Sequence, residues 1–203
     1  MQKRYGLYLN GLGDGTLNRL ENAAIKADSK KGFTIKHVPI NWRSDETLDE
    51  LIAKVNREYM HAVKEHGDVV LIGASAGGSL AVNVLAKTSD PNMSVITICS
   101  RLNEVKLAWW DPRNLKRMAH IGTKNESMSF YDSVLRSTNE SLPLLRTKHS
   151  QQLTVVTQRL DEVVPRRTMS VSGFKQITIR SIGHNCGIYK ALEHISVITH
   201  KVK

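Results

Sequence analysis

Gly73-Ala74-Ser75-Ala76-Gly77 follows the apolar run Val69-Val70-Leu71-Ile72 without a break, and a helix-forming stretch from Ser79 to Ala86 comes next. A run that is apolar throughout reads as a strand buried on both faces. The pentapeptide therefore sits at a tight strand-to-helix turn. In that context G-x-S-x-G lifts a serine onto a sharp, strained corner with its hydroxyl exposed. Gly73 and Gly77 let strand and helix approach without side-chain clash. A glycine-flanked serine also suits plain close packing at such a corner, so its meaning depends on partners further along the chain.

The partners arrive in order. Leu153-Thr154-Val155-Val156 reads as a strand, and Asp161 and Glu162 follow in Leu160-Asp161-Glu162-Val163-Val164-Pro165. A further strand, Ile177-Thr178-Ile179, leads into Ile182-Gly183-His184-Asn185. The acid and the histidine both fall just past predicted strand ends, the edge at which open parallel sheets form sites. A serine hydroxyl is a weak nucleophile at neutral pH and needs a base within hydrogen-bond reach, which His184 would supply. Either Asp161 or Glu162 could orient the imidazole. A tetrahedral oxyanion needs two donors, usually backbone amides. Ala76, directly after the serine, offers one. The loop Asn10-Gly11-Leu12-Gly13-Asp14-Gly15, after the strand Tyr5–Leu9, offers the other at Leu12.

In this combination the chain resembles the α/β-hydrolase family. The residues that carry the likeness are the Asn-Gly-Leu-Gly loop, Gly73–Gly77, Asp161–Pro165 and Gly183-His184, from Tyr5 to the last helix. The resemblance implies a Ser75 nucleophile, a His184 base and Asp161 as the orienting acid, since Asp161 matches the family's pattern ahead of Val164-Pro165. It implies cleavage of small-molecule carboxylic esters or lactones through an acyl-enzyme, with no cofactor. There are two departures. Asn10 precedes Gly11 where the family often has His-Gly, and the chain opens on what would be the family's third strand.

The rest of the chain alternates between strand and helix. Leu17, Leu20, Ala23, Ala24 and Ala27 fall at helical spacing, and Phe33–Ile40 alternates as a half-exposed edge strand. Leu48, Leu51, Ile52, Val55, Tyr59 and Val63 form the stripe of a helix over 45–66, with Ser44 or Asp45 as its cap. Val95–Ile98 adds a strand, and Ile188, Ala191, Leu192 and Ile195 a closing helix. This pattern predicts a single α/β domain over 1–203, a doubly wound, mainly parallel six-stranded sheet with helices on both faces. Residues 101–151 exceed one crossover helix and are expected to form one or two helices at the mouth of the site, a small cap. Trp109 and Trp110 within it would wall an acyl pocket, or pack the crossover helix on the sheet.

Composition narrows the classes. The 203 residues carry a net charge of +10. Residues 1–100 hold 12 Lys and Arg against 11 Asp and Glu, and residues 101–203 hold 17 against 8. The basic residues are scattered with few aromatics between them, which argues against nucleic-acid binding. No apolar run is long enough to insert in a membrane. The apolar stretch after Met1–Arg4 is too short for a signal-peptide core, so a cytoplasmic location is expected. Two cysteines, Cys99 and Cys186, make no disulfide framework, and His184 with Cys186 lacks a second pair at zinc spacing, so no metal is expected. Gly11, Gly13 and Gly15 follow G-x-G-x-G, not the dinucleotide fingerprint G-x-G-x-x-G. The alternative function is a non-catalytic binding or scaffolding protein on the same fold.

Overall fold

In the computed structural model, which describes residues 4–29, 32–88, 90–103 and 125–200, strand side chains alternate between two apolar layers. Leu7, Leu9, Leu71, Val95 and Val155 enter one layer, and Tyr8, Ile72, Ile96 and Val156 the other. This period-two alternation is intrinsic to a pleated strand. The strands are β1 (Arg4–Leu9), β2 (Phe33–Val38), β3 (Val69–Ala74), β4 (Ser94–Ile98), β5 (Leu153–Leu160) and β6 (Lys175–Ile182). They form one sheet in the order β2-β1-β3-β4-β5-β6, and every pairing is parallel.

Helices cover both faces. On the first layer lie α2 (Leu48–His66), α3 (Ala76–Lys87) and α4 (Asn125–Lys148); on the second lie α1 (Arg19–Ser29), α6 (His184–Glu193) and α7 (Ile195–His200). A four-residue α5 (Arg166–Met169) stands between β5 and β6. The doubly wound α/β architecture expected from the sequence is the architecture observed. Chain direction across the sheet reverses between β1 and β3, so the loops leaving their C-terminal ends diverge and open a crevice there.

Several boundaries differ from the sequence reading, each for a local reason. The cap of α2 is Thr47: its hydroxyl accepts from Glu50 N at 3.3 Å, and the Glu50 carboxylate accepts from Thr47 N at 2.7 Å. This reciprocal capping box outcompetes Ser44 and Asp45. In α1 the inward positions are Glu21 and Ala24, while Leu20 is 42% exposed and Ala23 also faces out. A carboxylate takes the inward place because Tyr8 Oη and Asn18 N both donate to it. β5 runs to Leu160, which makes Asp161 the next residue. The closing helix is two helices, and His184 opens the first instead of lying in a loop.

Apart from 101–103 and 149–151, the described part of the 101–151 segment is α4, a crossover helix packed on α3. A buried polar ladder joins them: Asn83 Nδ2 donates to Thr138 Oγ1 at 2.8 Å, and Ser137 Oγ donates to Asn83 Oδ1 at 2.6 Å. Trp109 and Trp110 lie outside the described residues. Among the described residues, no helix is long and apolar enough to cross a membrane.

Candidate active site

Ser75 stands at the corner between β3 and α3 with φ 52° and ψ −122°. A positive φ is uncommon for a residue with a Cβ and costs about 1–3 kcal/mol unless the surroundings enforce it. Two glycines allow the enforcement. A Cβ on Gly73 would lie 2.3 Å from Gly77 O, and one on Gly77 would lie 2.5 Å from Leu9 O. The helix start is thus pressed against both its own strand and the end of β1. Ser75 N donates to Ile98 O at 2.9 Å, and Ser75 O accepts from Gly78 N at 3.1 Å, so the corner is tied on both sides.

The acid and the histidine meet directly. Asp161 Oδ2 is 2.8 Å from His184 Nδ1. A carboxylate can only accept, so Nδ1 carries a proton, and in the neutral ring the lone pair is then on Nε2. The Asp161 carboxylate is fully buried, and its other oxygen accepts from the amides of Val163 at 2.8 Å and Val164 at 2.7 Å. Those two bonds fix the direction in which Oδ2 points. Glu162, the other candidate acid, does not reach the ring; its carboxylate accepts from the backbone N–H of His184.

Ser75 and His184 line one cavity of about 350 Å³, together with Asn10, Leu12, Val163 and Ile188. No hydrogen bond joins Ser75 Oγ to His184 among the described residues; such contacts are often long before a substrate is bound. The Asn10–Gly15 loop abuts the serine, since a Cβ on Gly11 would lie 3.1 Å from Ser75 Cβ. Leu12 is 45% exposed on this loop, and Ala76 is the first residue of α3. The first amides of a helix have no intrahelical acceptor. Neither the Leu12 nor the Ala76 amide donates to a protein group among the described residues.

Asn10 proves more important than its place as a family departure suggested. Buried in the loop, it donates from Nδ2 to Gly11 O at 2.8 Å and to Ile40 O at 3.0 Å, and accepts at Oδ1 from Ile40 N at 2.8 Å. His37 Nε2 adds a fourth bond to Oδ1 at 3.1 Å. An asparagine beside glycine, directly after a predicted strand, was the available signal. Cys99 is buried on the flank of the site, and burial, with the Asp161 charge as a smaller cause, pushes its thiol well above the usual range. Cys186 is exposed on α6. Among the described residues, no group of three or more His, Cys, Asp or Glu is placed to hold a metal ion.

Neither a family model nor a curated protein matches the sequence. Solved structures do match the fold. The mature lipase BlEst2 of Bacillus licheniformis superposes with a TM-score of 0.73 at 13% identity, over 100% of this chain and 93% of that one. One of the metagenome-derived lipolytic enzymes LipS and LipT gives a TM-score of 0.66 at 13% identity, over 97% and 94%. A carboxylesterase of the thaumarchaeon Nitrososphaera gargenis gives 0.59 at 16% identity, over 98% and 89%. The fold is therefore the α/β-hydrolase fold, in a small version.

Proposed function

We propose that this chain is a serine hydrolase that cleaves carboxylic esters or lactones of small molecules through an acyl-enzyme on Ser75. The observation that carries the reading is a histidine, held by the buried Asp161 carboxylate, that lines the same cavity as a serine held at positive φ. His184 Nε2 takes the Ser75 proton as Oγ attacks the carbonyl carbon. Asp161 keeps the ring in that tautomer and stabilises the imidazolium. The amides of Leu12 and Ala76 receive the negative charge on the carbonyl oxygen, the effect that usually lowers such barriers most. The imidazolium then protonates the leaving alkoxide, and His184 activates a water that releases the acid. With a lactone the alcohol stays tethered to the acyl group, and the steps are otherwise the same. The likeness to lipases and a carboxylesterase supports ester chemistry at the level of the fold.

Intact mass after incubation with a fluorophosphonate tests the reading. A single adduct on the wild type and none on Ser75→Ala is expected, together with turnover of short aryl esters that Ser75→Ala loses. A folded wild type that takes no adduct and turns over no ester or lactone would instead favour a non-catalytic protein on this fold.

A further inference from the structure

Asp161 and Glu162 are neighbours in the chain, and both carboxylates hold His184, by different handles. Asp161 takes the ring Nδ1–H. Glu162 takes the backbone N–H, with Oε2 at 2.9 Å and Oε1 at 3.2 Å. That N–H is the first of α6 and has no acceptor within the helix. A helix usually satisfies some of its free first-turn N–H groups with a side-chain oxygen on the N-cap residue, which reaches the second or third of them. Here that residue is Gly183, with no side chain and φ 91°. The cap comes instead from the loop after β5, placed as an anion at the positive end of the helix.

This placement matters because His184 is itself the first residue of α6. Any slack in the first helical turn moves the imidazole. A ring tied only at Nδ1 can swing with its backbone, and a backbone tied alone leaves the ring free to rotate. Two ties from consecutive residues of one loop remove both motions. We propose that Glu162 is a positioning residue for the hydrolysis: it clamps the start of α6 to the β5 loop and so holds the His184 ring where Ser75 needs it. The inference rests on the proposed roles of Ser75, His184 and Asp161. An exposed cap adds little to global stability, whereas a misplacement of about 1 Å at a reacting group costs on the order of 100-fold in rate. Glu162 should therefore weigh more on kinetics than on melting.

The test compares Glu162→Ala, Glu162→Gln and Glu162→Asp with the wild type, by rate of fluorophosphonate labelling at Ser75, by kcat and KM on a p-nitrophenyl ester, and by melting temperature. Glu162→Ala is expected to lose roughly 10- to 100-fold in labelling rate and kcat, with KM changed less than about twofold. Glu162→Gln, whose amide oxygen can accept the same N–H, recovers much of the loss. Glu162→Asp keeps the charge but is one methylene too short, and follows alanine. In Asp161→Asn/Glu162→Ala the two losses combine to less than their product, because both act through one imidazole. A folded Glu162→Ala, or Glu162→Asp if the alanine variant does not fold, that labels at the wild-type rate overturns the clamp while leaving the hydrolase reading intact. A wild type that neither labels nor turns over ester overturns both.

Discussion

Asn10 grips Ile40 by both halves of its amide, donating to the carbonyl at 3.0 Å and accepting the N–H at 2.8 Å. The two residues are 30 positions apart, so one side chain fastens the loop after β1 to the chain leaving β2. The loop it fastens carries Leu12 and abuts Ser75. Asn10→Ala leaves the buried N–H and C=O of Ile40 without partners, a penalty on the order of 2–3 kcal/mol. Melting should fall accordingly, and kcat should fall further than stability alone explains, because the proposed Leu12 donor is released. Chemical denaturation beside ester kinetics checks both. An unchanged kcat in the folded variant would remove Leu12 from the oxyanion site.

Gly77 and Gly11 separate folding from chemistry. A Cβ on Gly77 would meet Leu9 O at 2.5 Å and Asn10 O at 2.6 Å, backbone atoms that cannot swing aside. Gly77→Ala should cost at least about 1–3 kcal/mol, the usual range for overpacking. A Cβ on Gly11 would press on Ser75 Cβ at 3.1 Å and otherwise make ordinary contacts with Ser75 Oγ at 3.6 Å and Ala74 O at 3.7 Å. Gly11→Ala should fold nearly as well as wild type yet label more slowly with a fluorophosphonate. Equal melting losses in the two variants would contradict this division.

The fold was legible because strand burial follows from composition alone: a run such as Val69–Ile72 has no polar residue to turn outward. The serine corner, Asp161 and His184 were legible because small residues and chain order are local facts. Inward polar residues hid the remainder. Glu21 occupies a core-facing place in α1 because Tyr8, on another element, and the Asn18 amide donate to it. The cap of α2 moved to Thr47 because a reciprocal pair with Glu50 beats a lone side chain. The choice between Asp161 and Glu162 could not be made from spacing, since adjacent carboxylates differ only in which atom of His184 they meet.

The two cysteines should differ sharply in reactivity. The thiolate is the reactive form. Cys99 is buried, and burial raises its thiol well above the normal range, with the nearby Asp161 charge adding to it. Cys186 is exposed on α6. Titration with a disulfide reagent at pH 8 should therefore count one thiol in the native protein and two after unfolding. Cys186→Ser should then show none in the native state. Two fast native thiols would mean that the β4 end beside the site opens readily.

His37 gives the fold a sensitivity to acid. Burial lowers its pKa from the ordinary 6.5, so the folded state prefers the neutral ring that donates through Nε2 to Asn10 Oδ1. As pH falls below about 6.5, the unfolded chain takes up a proton that the folded chain resists, and stability declines until the folded ring is protonated too. The imidazolium can still donate to Asn10, so the penalty comes from desolvating the charge and not from a broken bond. His37→Gln can keep a donor to Asn10 without a titrating group. Its melting temperature should fall less between pH 7 and pH 5 than that of the wild type. Identical slopes in the two proteins would place the acid sensitivity elsewhere, and His37 would then be only a spacer between β2 and the Asn10 loop.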